Sequence, residues 1–251
     1  MTEIRTALVT NAADFAGPGA VLGLLEAGWR VLAHDRSFSD PEAWNAFHEG
    51  REGLTHLVGD DMEVVVDEAF TRAGHLHALV SNDHYPAKLA ASETLPVEAL
   101  RANLEYLIID PFKVVGSAAP RFKAQGGGNI VMITSNRMRL PQIGGAIPDA
   151  ARAGQNALVE SFAREFAADG IAVNAIAPNF LYSEAYYPKA VFEQTEAGRQ
   201  YVRENVPVGR LGEPAEMGEL VAFLAGASSR FMTGAIIDWS GGWPAGAPRP
   251  S

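Results

Sequence analysis

The chain contains no cysteine, so disulfides and thiolate metal centres are excluded as sources of stability or chemistry. Positive charge is scarce: 20 Lys and Arg against 30 Asp and Glu leave a net charge of −10. That balance offers no basic face for a phosphate backbone, so no nucleic-acid partner is expected. Small neutral or apolar ligands are favoured instead. No apolar run approaches the ~20 residues that cross a bilayer, and no N-terminal stretch has the charged-then-apolar layout of a signal peptide. A soluble, cytoplasmic protein without a membrane partner is the expectation. His75 and His77 share one face of a strand start, but with no cysteine and no third ligand at helical spacing no metal is expected.

What is present is an ordinary globular composition. The 251 residues are 47% hydrophobic and 20% charged, enough for one α/β domain over residues 1–251. Short β-branched runs predict strands at 6–10, 30–35, 55–60, 77–82, 129–135, 171–178 and 234–240. Several are apolar almost throughout, as strands buried on both faces of a parallel sheet must be. Helical patterns alternate with them at 17–27, 61–73, 97–123, 149–169 and 213–226, and Gly28, Gly74 and Gly170 stand just past helix ends. Strict alternation predicts a single Rossmann-like, doubly wound parallel sheet of about seven strands with helices on both faces. The tail "WPAGAPRPS" reads as extended.

The first strand runs into "TNAADFAGPG", a place where glycines usually let a backbone approach a pyrophosphate at a helix N-terminus. Gly17 and Gly19 are kept, but Asn11 and the bulky Phe15 take earlier slots. If a dinucleotide were bound, Gly17, Gly19, Asp35 and Asp60 at strand ends, and Asn82 in "VSND", would be the residues to hold it.

The ordered segments "TNAADFAGPG", "VSND", "MITS", "ARAG", "IAPNFLYSE" and "TGAIIDWSGGW" resemble the short-chain dehydrogenase/reductase superfamily across nearly the whole chain. Within it the chain resembles the halohydrin dehalogenases, which use that fold without a nicotinamide and carry a bulky aromatic in the first loop. The resemblance implies that Phe15 plugs the phosphate loop. It also implies that "PNFLYSEAYYP", with Pro178, Asn179, Phe180 and Leu181, nests a halide against successive backbone N–H groups and apolar walls, with Tyr186 and Tyr187 as a lid. Asn82 corresponds to a structural asparagine, and assembly as a tetramer or dimer is implied by the same resemblance. Trp239 and Trp243 are placed either in a pocket wall or at a subunit contact.

At the centre the chain departs from that pattern. Ser135 matches the serine that hydrogen-bonds the substrate oxygen, and Arg152 matches the arginine that replaces the dehydrogenase lysine. The tyrosine that should precede Arg152 by four residues is Pro148, and no Tyr-x-x-x-Lys occurs anywhere. Proline has no proton to exchange. "IPDAARAG" reads instead as a helix start with Pro148 at its first position and Asp149 at its positive end. Replacement bases are Tyr85, Tyr186 and Tyr187, from loops at the C-terminal edge of the sheet, ahead of Asp149; Asn136, Arg137 and Arg139 are nearby polar groups.

The leading expectation is a cofactor-independent lyase that interconverts vicinal haloalcohols and epoxides with release of halide. The alternatives are an NAD(P)-dependent oxidoreductase or atypical superfamily enzyme, and a catalytically inactive homologue that keeps the fold.

Overall fold

The computed structural model describes residues 4–86 and 89–246, so the end of the tail lies outside the described residues. Seven strands form one sheet: β1 (Thr6–Val9), β2 (Arg30–His34), β3 (Leu54–Leu57), β4 (Ala78–Asn82), β5 (Gly128–Ile133), β6 (Ile171–Pro178) and β7 (Ile236–Trp239). Their spatial order is β3-β2-β1-β4-β5-β6-β7, and every pairing is parallel. The central strands β1, β4, β5 and β6 are buried over their whole length. This is why their sequences are apolar without alternation.

Successive side chains serve opposite layers. Leu8, Leu79, Ile130 and Met132 pack with Phe70, Val114, Phe122 and Phe162 in one core. Val9, Val31, Val80 and Ile133 pack with Val21, Leu24, Met217 and Leu224 in the other. The helices are α1 (Gly17–Glu26), α2 (Pro41–His48), α3 (Met62–Ala73), α4 (Val97–Leu104), α5 (Asp110–Ala124), α6 (Ala146–Phe166), α7 (Lys189–Phe192), α8 (Glu196–Asn205) and α9 (Pro214–Gly226). Helices α3, α5 and α6 supply the first layer, and α1 and α9 the second. No helix among the described residues is long and apolar enough to cross a membrane.

Three helical expectations change. The run expected over 97–123 is divided by a π-turn at Glu105–Ile109. Pro111 has no N–H for the carbonyl four residues back, so the ladder widens by one residue there. Helices α2, α7 and α8 are additional; α2 buries none of its residues fully and sets only Trp44 and Phe47 against the core. Helix α6 starts at Ala146, not 149, so Pro148 is its third residue rather than its first. The missing N–H still costs nothing, because the first four amides of a helix have no partner in it.

The strand order reverses between β1 and β4, and the loops beyond the C-terminal ends of β1, β4, β5 and β6 meet there. Open α/β sheets bind ligands at such a switch point.

Candidate active site

The loop after β1 is built on two left-handed non-glycine residues, Asn11 with φ 47° and Phe15 with φ 57°. A bulky side chain in that region is an outlier, held only where its surroundings over-determine it. Here Asn82 donates its Nδ2 to the carbonyls of Asn11 and Asp14, at 2.7 and 3.0 Å. The Phe15 ring is buried, with centroids 5.1 Å from Tyr186 and 5.9 Å from His84, and the Arg152 guanidinium lies 5.7 Å from its face.

The groups that a dinucleotide would require are otherwise engaged. Asp35 accepts the Ala13 N–H on one oxygen and the Ser37 N–H and hydroxyl on the other. Asp60 pairs with Arg36 at 3.1 Å. A Cβ on Gly17 would stand 2.5 Å from the Ala12 carbonyl oxygen, and one on Gly19 2.0 Å from that of Pro214. Both glycines thus face protein backbone rather than an open cradle. Phe15 and the committed Asp35 together leave a set of residues that does not fit a dinucleotide.

Beside this loop lies a cavity of about 460 Å³ lined by Phe15, Ser135, Pro148, Arg152, Tyr85, Tyr186 and Tyr187, by the 178–181 segment, and by Arg137 at one wall. Ser135 follows β5; its hydroxyl donates to the Pro178 carbonyl at 3.3 Å and accepts the Arg137 N–H at 3.2 Å. Arg152, on α6, is only 4% exposed. Its Nη1 donates to the Asp83 carbonyl and to Gln155 Oε1 at 2.9 and 2.7 Å. Its Nη2 reaches the phenol oxygen of Tyr186 at 3.4 Å.

The candidate bases separate by their partners. The Tyr186 oxygen also accepts the Tyr85 N–H at 3.0 Å, so it receives two hydrogen bonds, and among the described residues no acceptor takes its own proton. Tyr187 instead donates to Asn179 Oδ1 at 2.7 Å, and burial pushes its phenol well above the usual range. Tyr85 stacks on Tyr106 with centroids 4.9 Å apart. Asp149 is ion-paired to Arg137 and is not part of the cavity wall. Arg139 pairs with Asp238, and Asn136 donates to Ser240, so both turn toward β7.

In the loop after β6, Phe180 is left-handed at φ 56° and Leu181 bridges to Gly212. The succession of free amides expected there is reduced. The Phe180 N–H is taken by Asn179 Oδ1 at 3.0 Å, while the Leu181 N–H carries no hydrogen bond among the described residues. Trp243 is buried against Phe180 outside the cavity wall, and Trp239 covers Gly212. His77 Nδ1 accepts the Thr6 N–H, and among the described residues no three ligating side chains cluster for a metal.

Two titratable residues beside Arg152 were not among the sequence candidates. Asp83, 1% exposed, accepts from Ser81 at 2.7 Å, and burial pushes its carboxyl up to about 7. His84 is lowered by burial, and its buried Nδ1 has no hydrogen-bond partner among the described residues. The signal was the polar end of "HALVSND": a fully buried strand that finishes on Ser and Asn, with Asp next, carries those groups into the interior at the switch point.

Comparison with known proteins places these features. Residues 17–244 match the family described as Enoyl-(Acyl carrier protein) reductase. The chain is 32% identical over 248 residues to cis-4-hydroxycyclohexanecarboxylate dehydrogenase of Sinomonas cyclohexanicum, covering 96% of this chain and 97% of that protein. A solved halohydrin dehalogenase (HheC) bound to ethyl (2S)-oxiran-2-ylacetate superposes with a TM-score of 0.93 at 34% identity, covering 98% of this chain and all (100%) of that one. A solved structure described as a dehalogenation enzyme gives 0.91 at 34% identity, with 96% and 98% covered.

Proposed function

The chain belongs to the short-chain dehydrogenase/reductase superfamily, and from that premise we propose that it is a cofactor-independent lyase of halohydrin dehalogenase type. The observation that carries this reading is the meeting of Ser135, Arg152 and the Tyr186 oxygen around one cavity whose dinucleotide side holds Phe15. The likeness to two dehalogenase structures at 34% identity supports it.

In the proposed reaction the Ser135 hydroxyl turns from the Pro178 carbonyl and donates to the oxygen of a vicinal haloalcohol. Tyr186, as phenolate, takes the hydroxyl proton, and Arg152 stabilises negative charge on the phenol oxygen. The substrate oxygen forms its bond to the neighbouring carbon as the carbon–halogen bond breaks. The halide leaves toward the Leu181 N–H and the walls of Phe15 and Phe180. Tyr186 then passes its proton to solvent, so the balance is haloalcohol to epoxide, proton and halide. Fixed donors in a largely apolar cavity stabilise the leaving anion without having to reorganise.

Tyr186 thus serves in place of the tyrosine that Pro148 displaces. It comes from a loop rather than from helix α6, but it brings a phenol to the same arginine. The test is bromide release from a panel of vicinal bromohydrins. Release by the wild-type protein supports the reading; no release by a folded protein argues for different chemistry or none.

The dehydrogenase relative favours a second reading, a nicotinamide-dependent oxidoreductase. Titration with NADH and NADPH separates the two. The residues around Phe15 and Asp35 lead us to expect no change in nicotinamide fluorescence, and saturable binding would restore the oxidoreductase reading.

A further inference from the structure

Net charge and cavity charge have opposite signs in this protein. The chain carries −10, yet the described wall of the cavity holds two guanidinium groups, Arg137 and Arg152, and no carboxylate. The two arginines are differently placed. Arg152 is nearly fully buried and both of its Nη atoms are bonded, to Asp83, Gln155 and Tyr186. Arg137 has its backbone N–H on Ser135 Oγ and its Nε on Asp149, while neither Nη atom makes a hydrogen bond among the described residues. One carboxylate oxygen leaves most of the five N–H donors of a guanidinium unused.

Asp149 orients this group rather than consuming it. It lies in the first turn of α6, where the amide ends of the helix share its charge. The neighbouring backbone also makes room. Gly145 has an ordinary φ of −92°, so its conformation does not call for glycine. Space does: a Cβ there would stand 2.9 Å from Arg137 Nη2 and 3.1 Å from Asp149 Oδ2. The result is a guanidinium held in place by Asp149, on a residue of the cavity wall two positions beyond Ser135. Planar bidentate recognition of a carboxylate is what such a group does best.

We propose that Arg137 makes the cavity selective for halohydrins and epoxides that carry a carboxylate a short distance from the reacting carbons. This rests on the dehalogenase reading for its chemistry, but the anion site stands on its own geometry. Ser135 and Arg137 line the same cavity of about 460 Å³, so the acids it would take are small ones, the class of 4-halo-3-hydroxybutanoate and the matching 3,4-epoxy acid. The related structure holds an ethyl ester of such an epoxy acid. This chain would take the free acid.

The experiment compares bromide release from 4-bromo-3-hydroxybutanoate and from its ethyl ester, by the wild-type protein, Arg137→Met and Arg137→Gln. Alongside, an unreactive carboxylate, butyrate, is scored against butyramide by thermal stabilisation at fixed ionic strength. The wild type is expected to prefer the acid by about 10- to 100-fold in kcat/KM, the worth of a hydrogen-bonded charge. Both variants are expected to lose that preference while still turning over the ester. Butyrate, not butyramide, is expected to raise the Tm of the wild type alone. Equal rates on acid and ester, with Arg137 variants slowing both alike, would show a clamp between the loop and α6 and overturn the proposal. Silence from both bromohydrins, with Arg137-dependent butyrate binding, would remove the dehalogenase reading and leave the carboxylate site standing. Ester turnover without any butyrate effect would do the reverse.

Discussion

A phenol oxygen that accepts from a guanidinium and a backbone amide is placed to hold negative charge, and Tyr186 is the cavity tyrosine so placed. Tyr186→Phe keeps the ring against Phe15 and removes only the proton carrier. It is expected to lower kcat for bromide release by about 10²- to 10⁴-fold, the usual worth of a general base. Tyr182→Phe, which alters an exposed bond to Glu184, is the control and should change little. A wild-type rate in Tyr186→Phe would return the search to other bases. Asp83 gives a residue-scale prediction of a different kind. Its carboxyl is raised to about 7 by burial, so between about 4 and 7 the folded chain keeps a proton that the unfolded chain has released. Its contribution to stability therefore falls as pH rises through that window. His34 and His84, lowered by burial, pull the other way below about 6.5, so the contrast must be taken between variants. The urea midpoint of Asp83→Asn should gain on that of the wild type between pH 5 and pH 8; parallel pH dependences would contradict the assignment.

At the scale of elements, α1 and α9 approach so closely that backbone meets backbone. A Cβ at Gly19 would lie 2.0 Å from the Pro214 oxygen, and one at Gly23 2.3 Å from that of Gly218. Gly19→Ala must push the helices apart and is expected to cost about 2–3 kcal/mol, read from denaturant midpoints. Gly116→Ala, in the interior of α5 with nothing within 4 Å of its Cβ, should instead gain about 0.5–1 kcal/mol. If both substitutions cost the same, the contact argument is wrong. Strand and helix identities were readable because buried parallel strands and amphipathic helices write their periods into the sequence. The π-turn before Pro111 and the exact start of α6 were not, because both are settled by how orphaned backbone groups find partners. Helices α2 and α8 escaped because each is short with little buried face to leave a period: α2 sets only Trp44 and Phe47 against the core, and α8 buries only Gly198 and Val202.

For the whole molecule, apolar side chains remain in solvent on α5 and near the C-terminal end: Phe112 is 55% exposed, Phe223 63% and Phe231 98%. A dimer or tetramer in light scattering is the expected outcome, and a monomer at micromolar concentration would speak against burial of these faces by a second copy. The sequence by itself determined the sheet and its layers, the bulky Phe15 in the first loop, the candidate pair Ser135 and Arg152, and the absence of a phenol at position 148. Each of these is a matter of residue type, spacing or period along one segment. Only the tertiary structure decided which tyrosine meets Arg152 across 34 residues of chain, that Asp35 is spent on its own loops, and that Arg137 joins Arg152 in the cavity wall. The physical reason is that these pairings depend on left-handed turns at Phe15 and Phe180 and on packing between loops, which no local period encodes. Net charge points to neutral ligands for the surface as a whole, yet the sign inside one cavity depends on which few charges folding brings to its wall.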